Sequence, residues 1–118
     1  MQQGNSGLAL TCIVPRPEIV TLCGSVRFAA EMLAAHRTLS LHGSIVLLPA
    51  LPIGEHDQSG PSAALEEVQR RKIDLADRVH VINPDGYVGE STLSEISYAL
   101  DAGKPVTYEP PTAFPSSE

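Results

Sequence analysis

Short apolar runs alternate with amphipathic stretches along most of this chain. Ile19-Val-Thr-Leu-Cys23 is rich in β-branched residues and reads as a buried strand, closed by Gly24-Ser25. The period then changes. Phe28, Met32, Ala35 and Leu39 recur at the spacing of one helix face, and Gly43 supplies the stop. Ser44-Ile-Val-Leu-Leu48 is a second strand ended by Pro49, and a loop rich in Pro and Gly covers 49–61. The pattern next predicts a helix from Ser62 to Ala76. Its buried stripe is Leu65, Val68, Leu75 and Ala76, with Lys72 near the middle, and Glu66–Arg70 and Glu67–Arg71 form favourable i,i+4 pairs. Arg78-Val-His-Val-Ile82 is a third strand. Thr92 to Ala102 is a third helix with Leu93, Ile96, Ala99 and Leu100 on its apolar face, stopped by Gly103. Pro105-Val-Thr-Tyr108 is a short last strand.

Strands alternating with helices imply an α/β fold of three layers, a small, mostly parallel sheet with helices on both faces. Right-handed crossovers bring the strand-to-helix loops at 23–27, 49–61 and 83–92 together on the carboxyl edge of the sheet. Residues 1–17 read as a loose N-terminal arm and 109–118 as a loose C-terminal tail, around a domain at 18–108.

The chain's 118 residues suffice for one domain with its own core. No run approaches the roughly 18 apolar residues of a membrane span. The apolar stretch Leu8–Val14 is short and follows no basic residue, so a signal peptide is not expected. Eight basic residues against 14 acidic ones leave a net charge of −6, which disfavours a polymeric nucleic-acid partner but permits a single nucleotide. Cys12 and Cys23 read as two reduced thiols, consistent with a cytoplasmic protein. The four histidines have no metal-ligand spacing, and no cofactor is called for.

Two segments carry chemistry. Gly86-Tyr-Val-Gly-Glu-Ser-Thr-Leu-Ser-Glu95 sets Gly89, Glu90, Ser91 and Thr92 at a helix start, where free N–H groups suit a phosphate. Glu95 follows one turn later. It reads either as the far end of a capping box, Thr92-x-x-Glu95, or as a cleft carboxylate grouped with Ser91 and Tyr98 on one helix face. Gly24-Ser25-Val26-Arg27 offers a close backbone approach, a hydroxyl and a bidentate cation after the first strand, or else an ordinary capped turn. Lys72 either snorkels or pairs with Asp74, Asp77 or Glu95, and Asp77 also suits a turn. Glu55-His56-Asp57 reads as a polar loop able to touch a base or sugar. Phosphate cradle and carboxylate together point to chemistry at the glycosidic carbon of a nucleotide.

Cys23-Gly-Ser-Val-Arg27, Asp74-Leu-Ala-Asp77, and Gly89-Glu-Ser-Thr-Leu-Ser-Glu95 followed by Ala99 and Gly103-Lys104-Pro105 resemble the nucleoside 2-deoxyribosyltransferase superfamily. They are nearest its 2′-deoxynucleoside 5′-monophosphate N-glycosidase branch. The resemblance covers about residues 19–108 and implies a flavodoxin-like fold, a homodimer, a small-molecule nucleotide or nucleoside as partner, and no membrane. It implies Glu95 as nucleophile and Ser25 and Arg27 on the phosphate, with Ser91 a looser match. Where the hydrolases carry an aspartate this chain has Gln69, leaving Asp74, Asp77 or Glu90 to help the base depart or to activate water. Hydrolysis of nucleoside monophosphates, deoxyribosyl transfer between bases, and nucleotide binding without turnover are the functions to weigh.

Overall fold

The computed structural model describes residues 16–52 and 62–109. The Glu55-His56-Asp57 segment, Cys12, and most of the expected arm and tail lie outside the described residues.

Four strands form the sheet: β1 (Ile19–Cys23), β2 (Ile45–Leu47), β3 (Arg78–Ile82) and β4 (Val106–Glu109). Their order is β2-β1-β3-β4, and every neighbour is parallel. Helix α1 (Ala29–Leu41) connects β1 to β2, α2 (Ala63–Leu75) precedes β3, and α3 (Glu90–Asp101) connects β3 to β4. Because the chain steps from β1 to β2 and then back across β1 to β3, right-handed crossovers send α1 to one face and α2 and α3 to the other.

The strands' period of two divides the core accordingly. Val20 and Leu22 of β1 and Ile82 of β3 pack on Met32 and Ala35 of α1. Cys23, Val79 and Val81 pack on Ile73 of α2 and on Ile96 and Ala99 of α3. The α/β, flavodoxin-like architecture is therefore as expected, with strand order reversing between β1 and β3. In open parallel sheets, ligands bind at the carboxyl ends of the strands flanking such a reversal.

The faces of α2 and α3 differ from their apolar stripes. On α2 the fully or nearly buried residues are Ile73 and Gln69, while Leu65, Val68 and Leu75 are exposed. On α3, Thr92, Ile96 and Ala99 are buried while Leu93 and Leu100 are exposed. Polar anchoring accounts for the rotation of α2. Thr21 donates from Oγ1 to the Lys72 carbonyl, and Gln69 donates from Nε2 to the Leu22 carbonyl, so the helix docks along that line. Lys72 sends its ammonium to the Leu48 carbonyl at 2.6 Å, tying α2 to the end of β2. Its pairing is with backbone, and its half-buried stem snorkels.

Side-chain bonds also tie down the ends of the described domain. Arg16 forms a bidentate pair with Asp77, both bonds at 2.7 Å. Glu109 closes β4 and accepts from His80 Nε2 at 3.0 Å. Lys104 donates to the carbonyls of Asp74 and Ala76, satisfying the open C-terminus of α2.

Candidate active site

At the end of β1, Gly24 passes so close to β3 that a Cβ there would meet the Ile82 carbonyl oxygen at 2.9 Å. Only glycine lets the two strand ends draw together at the reversal point. Ser25 then caps a short 3₁₀ turn, Val26–Phe28, its Oγ accepting from the Arg27 N–H at 3.3 Å. The capped-turn reading of Ser25 thus holds, and its O–H is still a donor for a ligand. Arg27 lies with its guanidinium carbon 4.2 Å from the centre of the Tyr87 ring, and Phe28 meets the same ring edge-on at 5.8 Å. Tyr87 follows a tight turn in which Asp85, at φ 58°, and Gly86, at φ 78°, reverse the chain after β3.

Helix α3 begins earlier than its capping-box pattern suggests. Gly89 is the N-cap and makes no side-chain cap, and Thr92 is inside the helix and 3% exposed. Thr92 and Glu95 therefore do not form a capping box. The first backbone N–H groups of the helix have no intrahelical acceptor, the geometry that suits an anion. Glu90, exposed at the first helical position, presents a carboxylate to that same end and competes with an incoming phosphate.

Glu95 instead is half-buried. Burial pushes its pKa up, the Cys23 thiol pulls it down, and the charge of Glu66 pushes it up again. It lines a hollow of about 190 Å³ between α2 and α3, together with Glu66, Arg70, Ser91, Ser94 and Tyr98. That space suits a sugar ring or a base; whole-ligand pockets run from about 300 Å³ upward.

The other expected site residues are spread more widely. Ser91 shares the hollow with Glu95, and Gly24, Ser25 and Arg27 follow the carboxyl end of β1. Arg27 does not line the hollow. Asp74 lies one residue removed from it, accepting from the Tyr98 hydroxyl at 2.7 Å, which pushes the Tyr98 pKa up. Asp77 stands at the other edge of the sheet, where it accepts from the Ile19 N–H at 2.8 Å and from Arg16. The length of β1, about 13 Å at strand rise, separates it from Glu95. Arg16, with the Ile19 N–H, holds the Asp77 carboxyl well below the usual carboxylate range. Asp77 therefore fastens the starts of β1 and β3 and does not face the hollow.

Glu66 and Arg70 are the residues that sequence pattern assigned elsewhere. Their spacing suggested a surface ion pair, but Arg70 bonds Glu67 at 3.0 Å, as does Arg71 at 2.9 Å, leaving Glu66 to face Glu95. Only the way α2 packs against α3 puts Glu66 there. Among the described residues no cluster of His, Cys, Asp and Glu can hold a metal ion, and no helix is long and apolar enough to cross a membrane.

The class defined by this fold is a parallel α/β domain whose strand order reverses between β1 and β3. Among solved structures, the chain is similar to a 2-desoxiribosyltransferase from Leishmania mexicana, with a TM-score of 0.59 and 14% identity, over 78% of this chain. It spans 63% of the length of that protein. No family model and no curated protein matches the sequence. The likeness is one of fold.

Proposed function

We propose that this protein hydrolyses the N-glycosidic bond of (deoxy)nucleoside 5′-monophosphates, with Glu95 as the nucleophile. The observation that carries the reading is the orientation of Glu95. It lies within the helix, not at its cap, and borders with a second carboxylate, Glu66, a sugar-sized hollow between α2 and α3. A carboxylate oxygen there forms a bond to C1′ as the C1′–N bond breaks, and the base departs with the electron pair and takes up a proton from solvent. Water then attacks C1′, releasing Glu95, and Glu66 takes the water proton. Glu66 suits this task better than Asp77, at the far edge, or Asp74, which holds Tyr98.

The 5′-phosphate docks on the Ser25 hydroxyl, on the Arg27 guanidinium swung off Tyr87, and on the N–H groups at the start of α3. Two copies pair through the exposed leucines of α2 or α3, and the setting is cytoplasmic. Deoxyribosyl transfer is a second reading, suggested by the name of the similar structure, a 2-desoxiribosyltransferase. It shares the glycosyl–enzyme intermediate and differs in whether water or a second base intercepts it.

Incubation with each common nucleoside monophosphate, followed by chromatography for free base, tests the assignment. Wild type is expected to release base, Glu95→Gln to lose release while still binding nucleotide, and Arg27→Ala to weaken binding of monophosphates more than of nucleosides. Addition of a second base distinguishes transfer by the swapped product. Binding with no release from wild type would reduce the protein to a nucleotide sensor, and full activity in Glu95→Gln would remove the mechanism.

A further inference from the structure

A base that leaves with the electron pair of its C1′–N bond becomes negative, and a cation at its far edge eases the departure. Among the described residues lining the hollow between α2 and α3, Arg70 is the cation. It stands in company with the carboxylates of Glu66 and Glu95 and the hydroxyls of Ser91, Ser94 and Tyr98. Its side chain is 38% exposed and is braced along one edge. Nε and Nη2 donate to Glu67 Oε1 at 3.3 and 3.0 Å, and Arg71 grips the other oxygen of that carboxylate at 2.9 Å. The clamp does not use Nη1, so a rigid fork keeps N–H donors for a ligand. We propose that Arg70 reads the base of the nucleotide. Bases with a carbonyl oxygen on the edge far from the sugar, the 6-oxopurines and 4-oxopyrimidines, are accepted, and their 6-amino and 4-amino counterparts are rejected. The proposal rests on Glu95 being the group that meets C1′.

The layout of the two helices sets the direction of the base. Both run from the carboxyl edge of the sheet toward its amino edge, because each leads into a parallel strand. Arg70 stands one turn after Glu66 and one turn before Asp74 on α2, about 6 Å along the axis from each. Beyond it, the Tyr98–Asp74 bond at 2.7 Å joins the two helices. A nucleotide with its phosphate at the start of α3 and C1′ at Glu95 therefore carries its base toward Arg70. A guanidinium donates and never accepts. A carbonyl oxygen takes its N–H groups, and in a purine the adjacent N7 takes a second. An amino group at the same ring position sets donor against donor and leaves the cation unmet. Ser91 and Ser94 either donate or accept, so they do not discriminate, and the Tyr98 hydroxyl is committed to Asp74. As the C1′–N bond breaks, negative charge spreads through the ring onto that carbonyl oxygen, and its bond from Arg70 strengthens.

Calorimetry on Glu95→Gln protein, which consumes no ligand, compares deoxynucleoside monophosphates that differ by one oxo-for-amino exchange. The pairs are deoxyinosine against deoxyadenosine monophosphate, and deoxyuridine against deoxycytidine monophosphate. In at least one pair the oxo member is expected to bind about tenfold or more tightly, the worth of a hydrogen bond to a charged group. Adding Arg70→Met is expected to bring the pair to within about twofold, because the charged donor is gone. Arg70→Lys, which keeps the charge without the fork, falls between and serves if the methionine variant does not fold. An Arg70 that only clamps Glu67 at the surface predicts the same ratio in all three proteins. That result overturns the proposal, as do equal binding within both pairs, an amino preference, or no binding of any of the four. An Arg70-dependent preference without base release from wild type would leave the recognition standing and remove the glycosidase reading. Base release at equal kcat/KM from oxo and amino members, unchanged by Arg70→Met, would do the reverse.

Discussion

Gly24→Ala puts a measurable load on the closure between β1 and β3. Glycine 24 is not at a positive φ, so alanine brings no conformational penalty and the effect is one of space. Its Cβ would stand 2.9 Å from the Ile82 carbonyl oxygen, 3.4 Å from Ile82 Cβ and 3.5 Å from the Met32 sulfur. Met32 is flexible and yields, but the carbonyl is part of β3. Even a C–H···O contact keeps carbon and oxygen about 3.3 Å apart, so the two strand ends have to separate by about 0.4 Å. Overpacking of this kind costs about 1–3 kcal/mol. For a domain of this size each kcal/mol lowers Tm by about 4–8 °C, giving an expected loss of about 4–24 °C. Thermal and denaturant unfolding read the loss, and nucleotide binding by calorimetry should weaken with it. Gly103→Ala is the control. Gly103 is at φ 76° with nothing within 4 Å of its would-be Cβ, so alanine there costs about 1 kcal/mol of strain and leaves binding unchanged. A Gly24→Ala protein that unfolds at the wild-type temperature would refute the close approach.

Other expectations follow from the carboxylates and from one lysine. Burial holds the Glu95 pKa above its unfolded value, so its contribution to stability is present at low pH and is lost as pH rises through the folded value. Glu95→Gln should therefore raise Tm at neutral pH while abolishing base release, and a Tm that falls would contradict the burial. Asp77 has the opposite sign. Its pKa is held down, so its contribution is present above the usual carboxylate range and is lost as pH falls through the folded value. Arg16→Ala should flatten the acid limb of the stability–pH curve, and an unchanged limb would show that the pair contributes nothing. Lys104→Met removes two donors from the C-terminal carbonyls of α2, with an expected cost of about 1–2 kcal/mol in denaturant unfolding and no change in nucleotide affinity. Equal stability of the variant would assign those carbonyls to water.

Local pattern decided a great deal here. The β-branched run at Ile19–Cys23, the switch to helical spacing at Phe28, and glycines 43 and 103 at φ 97° and 76° mark element types and stops that depend on neighbouring residues alone. Strand–helix alternation with right-handed crossovers then leads to a parallel α/β sheet and to loops gathered on its carboxyl edge. Packing decided the rest. Leu65, Val68 and Leu75 outscore Gln69 in hydrophobicity, yet Gln69 is the buried one, because its amide finds the Leu22 carbonyl and Cys23 only when α2 lies on β1. Asp77 and Glu95 are both carboxylates beside a strand, and only the direction of β1 and β3 puts one at the amino edge and the other at the carboxyl edge. Whether Glu95 capped its helix or entered the hollow, and whether Glu66 paired with Arg70 or faced Glu95, turned on helix starts and helix rotation. Both are set by contacts between residues distant in sequence, where periodicity carries no information.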